Sequence, residues 1–304
     1  MKIAAIGEAM IELSMAGDTA AVGVAGDTLN TAIYLKRNAP SFEVDYITRL
    51  GTDAFSDRIA DFIAAEDIGT DTIERDPGGT PGLYAITTDD TGERSFTYWR
   101  DSAAVRQTFV TDNGPDFGVL ARYDIVYLSG ITMAILSPAV RSGLMRFLQA
   151  FRRSGGRVCY DSNYRPRLWS DAETARATNE AMWALTDIAV PSLDDELAIT
   201  GDTEEAIVQR FLGLQRTGAL KRGPQGPLCL KTGAAYDFPA AETVVDTTAA
   251  GDSFNGGYLA ALLTGASQAS SLRAGHELAM RVIGRKGAIL PRQSDPHWEV
   301  RKQR

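Results

Sequence analysis

A chain of 304 residues can bury a large core, and 44% hydrophobic with 23% charged residues is the balance of an ordinary soluble globular protein of one or two domains. A formal charge of −8, with no long basic run, excludes nucleic acid and anionic membranes from the expected partners. Cys159 and Cys229 each lie inside an apolar strand-like run, so they are expected to be reduced and buried, with neither a disulfide framework nor a metal cluster.

The opening M-K-I-A-A-I-G-E predicts a first strand at Ile3–Ile6 and lacks the longer apolar stretch and cleavage site of a signal peptide. No apolar run approaches the roughly 20 residues of a spanning helix, and a cytoplasmic protein is expected. Ile11–Val24 is short and Gly-rich, with no helical period. A helix over Thr28–Lys36 follows, with Asp27 or Thr28 as its cap, and then a strand at Val44–Thr48. Gly82–Arg100 reads as a hairpin, L-Y-A-I-T-T and R-S-F-T-Y-W-R around the turn D-D-T-G-E. Beyond it, strands at Ile125–Leu128, Val158–Tyr160, Ile188–Val190 and Leu228–Lys231 alternate with helices at Ala139–Arg152, Ala172–Ala184 and Glu204–Gln215. That alternation predicts an α/β fold, a doubly wound and mostly parallel sheet flanked by helices, with ligands at the C-terminal ends of the strands. Strands inserted between the βα units are expected to form a separate small sheet.

Neither G-x-x-x-x-G-K-[ST] nor G-x-G-x-x-G occurs, so a phosphate site must be sought elsewhere. The stretch V-D-T-T-A-A-G-D-S-F-N-G-G-Y-L-A-A-L-L, Val245 to Leu263, supplies one. It is read as the end of a strand in Val244–Val245, a turn of small residues, and a helix. Ala249, Ala250 and Gly251 allow backbone N–H groups to approach a ligand at the positive end of the helix dipole, an anion hole for phosphate. A carboxylate there, Asp252, would repel phosphate unless it served as the base that takes the proton of an attacking hydroxyl. The competing reading is a strand-turn-helix junction in which Asp252 caps the helix.

Other polar groups gather at predicted strand ends. Asp161, Asn163 and Arg165 close a strand in Y-D-S-N-Y-R, and Tyr98 and Arg100, two apart on a strand, share a face with Tyr84 within reach. An Arg is poorly explained on a buried face and well explained when aimed at a carboxylate; the competing reading is an exposed strand with ordinary alternation. P-S-L-D-D-E carries Ser192 and Glu196 after a strand, and K-R-G-P-Q-G-P carries Lys221, Gly223 and Gly226, by itself a Gly/Pro turn. His276 is assigned no chemistry.

The string D-T-T-A-A-G-D-S-F closely resembles the C-terminal motif of the ribokinase-like (PfkB-type) carbohydrate kinases, whose most frequent form has Gly where this chain has Ala249. The resemblance covers nearly the whole chain, to about Pro291. G-D-T-L-N-T-A-I-Y-L looks most like the 2-keto-3-deoxygluconate kinases, with Ala25 where the family's glycine pair begins. It implies a single ribokinase-like domain over 1–304, with segments of about 11–24 and 80–101 forming a β lid over the sugar site. Gly26, Asp27 and Asn30 would hold sugar hydroxyls. Tyr84, Tyr98, Arg100 and Arg165 would contact the sugar acid. Lys221, Gly223 and Gly226 resemble the nucleotide loop, and Glu196 matches the acid of an N-x-x-E motif that acts through Mg²⁺ water, although Leu193 replaces its Asn. Asp246 and Thr248 are candidate contacts for a monovalent cation such as K⁺. The resemblance therefore implies ATP and Mg²⁺ as cofactors and transfer of the γ-phosphoryl to the 6-hydroxyl of 2-keto-3-deoxygluconate, giving 2-keto-3-deoxy-6-phosphogluconate. A fructokinase, a ribokinase and a non-catalytic sugar- or nucleotide-binding sensor are the alternatives. The expected partners are a sugar acid and ATP, and a homo-oligomer is the expected assembly.

Overall fold

Runs such as K-I-A-A-I and I-V-Y-L-S are apolar at successive positions, which demands cover on both faces of a strand, the pattern of a parallel sheet between helix layers. In the computed structural model, which describes residues 1–88 and 94–292, these runs form a seven-stranded sheet. Lys2–Ile6 pairs in parallel with Glu43–Ile47 on one side and Ile125–Ser129 on the other. The sheet continues in parallel through Arg157–Asp161, Ile188–Ala189 and Thr217–Leu220, and ends on the antiparallel edge Leu228–Cys229. Cys159 and Cys229 are free and buried in it.

Three departures from the sequence reading have local causes. Thr217–Leu220 was not anticipated, because T-G-A-L offers only two apolar side chains and a glycine. Leu228–Lys231 stops as a strand at Cys229, since Cys229 O accepts the Gly233 N–H and the chain turns back on itself. Val244 and Val245 form no strand: they lie 63% and 59% exposed, and the Val245 N–H donates to Ile283 O at the end of a helix.

The Gly-rich stretch folds as an antiparallel pair, Met10–Ala16 and Thr19–Ala25, which joins Gly82–Thr88 and Arg94–Trp99 in a separate four-stranded sheet. The anticipated turn D-D-T-G-E lies outside the described residues. Ile11, Leu13, Val24 and Leu83 pack that sheet onto the main core, while Met10, Ala25, Tyr84 and Ile86 cluster on its other face.

Neither Asp27 nor Thr28 caps the helix Asp27–Asn38. Gly26 occupies the cap position without a side-chain bond, and the Thr28 hydroxyl pairs instead with the Tyr46 hydroxyl at 3.0 Å. Gly26 is needed there, since a Cβ would stand 2.1 Å from Glu8 O. The helix Ala250–Leu263 is apolar along most of its length, as a helix between two others must be, and packs between Asp27–Asn38 and Gln268–Ile283. Gly256 permits the first contact: a Cβ at that position would come within 2.4 Å of Tyr34 Cβ.

Candidate active site

Asn30 and Tyr34 are four apart on one helix, and Asp252 and Gly256 are four apart on the other, so each pair shares a face. Where Gly256 lets the helices touch at Tyr34, the next turn brings Asn30 Nδ2 within 2.9 Å of Asp252 Oδ2. The turn before Asp252 is set by Ala249, which has φ 60° and ψ 18°, the left-handed conformation that favours glycine. The Ala250 N–H bonds back to Thr247 O at 3.2 Å, so the expected donor set at this turn narrows by one.

The sheet's C-terminal edge meets this turn with polar groups. Lys221, just past Thr217–Leu220, donates from Nζ to Asp161 Oδ2 at 2.8 Å, and Nζ lies 3.5 Å from where a Cβ on Gly251 would be. Asn255 Nδ2 donates to the same Asp161 oxygen at 2.6 Å and to the Tyr127 hydroxyl at 3.3 Å. Asp27 Oδ2 accepts from Ser129 Oγ and from Asn163 Nδ2, the latter at 2.7 Å. Asp252, Asp27 and Asp161 are thus brought together, with Asn30, Asn163 and Lys221 between them. Burial, and then the charge of Asp27, pushes the Asp252 carboxyl up to about 8, against the pull of Asn30 and Lys221. A carboxylate so raised, half-buried at a helix N-terminus, is suited to accept a proton near neutral pH.

On the small sheet, Tyr84 and Tyr98 stack with ring centroids 5.5 Å apart, and the Arg100 guanidinium carbon lies 5.8 Å from the Tyr98 ring, so these three do share a face. The carboxylate that Arg100 meets is Glu8, just beyond the first strand: Arg100 Nη2 pairs with Glu8 Oε2, with both side chains buried. Glu8 Oε1 and Arg100 Nε have no hydrogen-bond partner. Burial lifts the Glu8 carboxyl to about 7 although Arg100 opposes it. Tyr84 donates to Glu12. Arg165 is half-open, 55% exposed, with Nη1 donating to Tyr164 O at 2.7 Å and standing 3.6 Å from Asp195. Burial and then the charge of Asp161 push the Asp195 carboxyl up to about 6.

The remaining anticipated residues are placed less directly. Ser192 starts the helix Leu193–Thr200 beside Lys221, with its N–H on Ser162 Oγ. Gly223 and Gly226 bound a 3₁₀ turn, both at positive φ. Glu196 does not join the cluster: it is fully buried, and Asn179, Trp183 and Arg210 donate to its carboxylate. Asp246 is buried, with Oδ1 accepting from the N–H and hydroxyl of Thr248 and Oδ2 from the Gly287 N–H. Among the described residues no group of three or more His, Cys, Asp or Glu side chains is arranged to hold a metal, and no helix is long and apolar enough to cross a membrane. His276 bonds Pro239 O and stacks on Phe238.

Sequence reasoning missed Glu8, Ser129, Asp195 and Asn255. The first two carry the signal that identified Asp161, a polar residue where an apolar strand ends, and it was available in A-I-G-E and Y-L-S. A large cavity of about 1230 Å³ lies elsewhere, lined by Tyr34, Arg37, Glu66, His276 and Arg281, and shares no residue with the carboxylate cluster. The cluster, where carboxylates, amides and an ammonium converge, is the candidate site.

Comparison with known proteins places the chain in a family. The fold matches a PfkB protein from Polaromonas sp. JS666 with TM-score 0.76 at 23% identity, covering 92% of this chain and 94% of that one. A fructokinase with bound ATP from Xylella fastidiosa matches with TM-score 0.78 at 22% identity, over 94% and 93%. By sequence, the 2-dehydro-3-deoxygluconokinase of Escherichia coli K12 is 43% identical over 97% of this chain and 99% of its own length. That of Dickeya dadantii is 43% identical over 97% and 98%. Residues 1–295 match the family described as pfkB family carbohydrate kinase, and with curated relatives of that identity along nearly the whole chain, the protein belongs to that family and has its ribokinase-like fold.

Proposed function

We propose that this kinase transfers the γ-phosphoryl group of ATP to the 6-hydroxyl of 2-keto-3-deoxygluconate, with Asp252 as the base. The observation that carries the reading is the convergence of Asp252, Asn30 and Asp27 on a helix N-terminus whose Gly251 faces Lys221. Asp252 takes the hydroxyl proton as the new O–P bond forms, the β–γ bridge breaks, and its electron pair leaves on ADP. The N–H groups of the turn face the transferring phosphoryl. Asp27 and Asn30 hold sugar hydroxyls, and the small sheet over 11–24 and 80–101 acts as the lid of a single domain. The half-open Arg165 and the lid's Arg100, with Tyr84 and Tyr98, face the sugar acid.

Among the described residues no three acids are gathered as a cage, so Mg²⁺ would be brought by the phosphates of ATP. When bound, that ion neutralises charge developing on the phosphates. Glu196, closed by its three donors, would act on it only through the helix it anchors. Asp246 and Thr248 would hold K⁺. Lys221, Ser192, Gly223 and Gly226 line the nucleotide side, and the reaction is assigned to the cytoplasm. Exposed Trp99, on the face of the small sheet opposite Tyr98, supports a homo-oligomer.

One observation favours a neutral sugar: Arg100 already has a carboxylate partner in Glu8. Coupled measurement of ADP release, with kcat/KM for 2-keto-3-deoxygluconate, fructose and ribose, separates the two readings. The sugar acid is expected to be turned over far faster, and a preference for fructose overturns the assignment of substrate.

A further inference from the structure

Lys221 and Asp161 are 60 residues apart in sequence and pair with side chains only 11% and 3% exposed. A nucleotide-loop lysine that served affinity alone would stand in solvent and reach for outer phosphates. This one points inward. Its ammonium sits 3.5 Å from the Cβ position of Gly251, and its charge lowers the proton affinity of Asp252. An ammonium has three donors, and Asp161 takes one of them.

Asp161 is itself held. Its Oδ1 accepts the Asn163 N–H at 3.4 Å, and its Oδ2 accepts both Lys221 Nζ and Asn255 Nδ2. Asn255 is fully buried one turn beyond Asp252 on the same helix, and Tyr127 links it to Thr31, which donates to Asp252 O. The base and the lysine are therefore registered to one another through a single buried network. The sequence reading marks Asp161 as a polar residue at a strand end; in this structure its carboxylate is turned to the lysine.

We propose that Lys221 is a catalytic residue whose ammonium meets the phosphoryl group in transit over Gly251, and that Asp161 and Asn255 are positioning residues that hold it there. The phosphoryl passes from the β-phosphate oxygen of ATP to a hydroxyl oxygen beside Asp252, so its path crosses the turn that Lys221 overlooks. No proton leaves Lys221; it supplies charge while Asp252 takes the proton. A preplaced cation stabilises the transition state more than bound ATP, because Asp161 already balances it in the ground state. This inference rests on the kinase assignment alone and holds for either sugar class.

The test uses the full chain with its preferred sugar. Lys221→Met is expected to lower kcat roughly 10²–10³-fold, the effect of removing one preorganised donor, while the dissociation constant of a non-hydrolysable ATP analogue changes less than threefold. Asn255→Ser is expected to lower kcat roughly 10- to 100-fold with KM for both substrates unchanged, as misplacement does. In the Lys221→Met background the same Asn255→Ser change should add almost nothing, since the two act as one unit. Thermal melts identify any variant that fails to fold, and Asp161→Asn, which keeps the shape, then stands in for Asn255→Ser. An unchanged kcat in Lys221→Met, a loss confined to ATP binding, or an Asn255→Ser effect as large without Lys221 as with it overturns the proposal. Wild-type enzyme inactive on every sugar would instead sink the kinase reading.

Discussion

The helix junction around Asp252 and the small sheet around Arg100 both bury an ion pair, but they treat its atoms differently. At the junction both oxygens of Asp161 are served, and the Lys221 ammonium is held by a carboxylate that Asn255 fixes in turn. On the sheet, Glu8 Oε1 and Arg100 Nε face no partner, and Tyr98 is exposed beside them. A buried pair offsets its desolvation only when its remaining hydrogen bonds are made. At the junction both oxygens of the paired carboxylate are met, although Asn30 Oδ1 and Asn255 Oδ1 beside it have no partner, while the sheet's pair leaves an acceptor at Glu8 Oε1 and a donor at Arg100 Nε that a substrate hydroxyl and a substrate carboxylate can meet. On the function proposed above, proton and phosphoryl transfer belong to the junction, which also holds sugar hydroxyls, and capture of a substrate carboxylate belongs to the sheet.

Breaking the junction at its base should have the largest effect. Asp252→Asn keeps the shape and removes the proton acceptor, and kcat should fall on the order of 10²–10⁴-fold with substrate binding less affected. In the wild type, Asp252 must be ionised to act, so kcat/KM should rise with pH through an acid limb shifted toward 8, far above an ordinary Asp. The sign for stability is opposite. The folded state holds this proton more tightly than the unfolded chain, so its stabilising contribution is present in acid and is lost as pH rises toward 8. Asp252→Asn should therefore melt higher than wild type, by a margin larger at pH 8 than at pH 5, and equal margins would mean the group is not perturbed.

Arg100→Ala breaks the other pair. It strands Glu8 as an uncompensated buried carboxylate, a loss of about 3–5 kcal/mol that proton uptake by Glu8 partly relieves, more readily than in the wild type because Arg100 no longer opposes it. Denaturant melts at pH 6 and pH 8 should show the larger deficit at the higher pH. Arg165→Ala strands nothing of that kind, because Arg165 is half-open and 3.6 Å from Asp195. Its effect should be on capture: kcat/KM for the sugar acid down roughly 10- to 150-fold, from a charge-assisted contact of about 1.5–3 kcal/mol. A neutral hexose should lose little. An equal loss on both sugars would remove Arg165 from carboxylate recognition.

The two regions were also unequally legible. The Asp252 turn was readable because its chemistry is written in consecutive residues, and Tyr98 and Arg100 because period-two alternation fixes a strand's faces. Glu8 as the partner of Arg100 was hidden, since the two are 92 residues apart and meet only where the small sheet returns to the main one. Asn255 lay in plain view inside the motif, yet its meaning comes from Asp161, 94 residues away. The mostly parallel sheet was legible from alternation, whereas the short strand Thr217–Leu220 was not, being held by its parallel neighbour Ile188–Ala189 rather than by its own composition. The strand expected at Val244–Val245 failed for the converse reason: two β-branched residues had no sheet edge to join.

The helix contact offers a gentler way to disturb the junction. Gly256→Ala forces a Cβ to within 2.4 Å of Tyr34 Cβ, so the helices must part. Overpacking of this kind typically costs about 1–3 kcal/mol, and because Asn30 and Asp252 lie one turn away on the same faces, kcat should fall along with the melting temperature. Loss of stability without loss of kcat would show that the Asn30–Asp252 contact does not depend on this packing.

The smallest effect should come from Ala249, where the junction carries strain. Ala249 is held at φ 60° as the residue before the helix Ala250–Leu263, a conformation that brings an L residue's Cβ close to a carbonyl oxygen at roughly 1–2 kcal/mol. Gly adopts it freely, which gives a physical reason for glycine at this place in the motif, but Gly also gives the unfolded chain more freedom, worth roughly 0.5–1 kcal/mol. The two effects oppose one another, so Ala249→Gly should stabilise the protein by about 0.5–1 kcal/mol. Activity should stay within a few-fold of wild type, because the backbone donors of the turn remain and no side chain of the cluster bonds to Ala249. A denaturant midpoint that falls in Ala249→Gly would mean that the surrounding packing, rather than the residue, holds the turn in its left-handed conformation. A large loss of kcat with unchanged stability would mean that the strain is part of the chemistry, the turn being kept under tension against the phosphoryl group by a methyl group that glycine lacks.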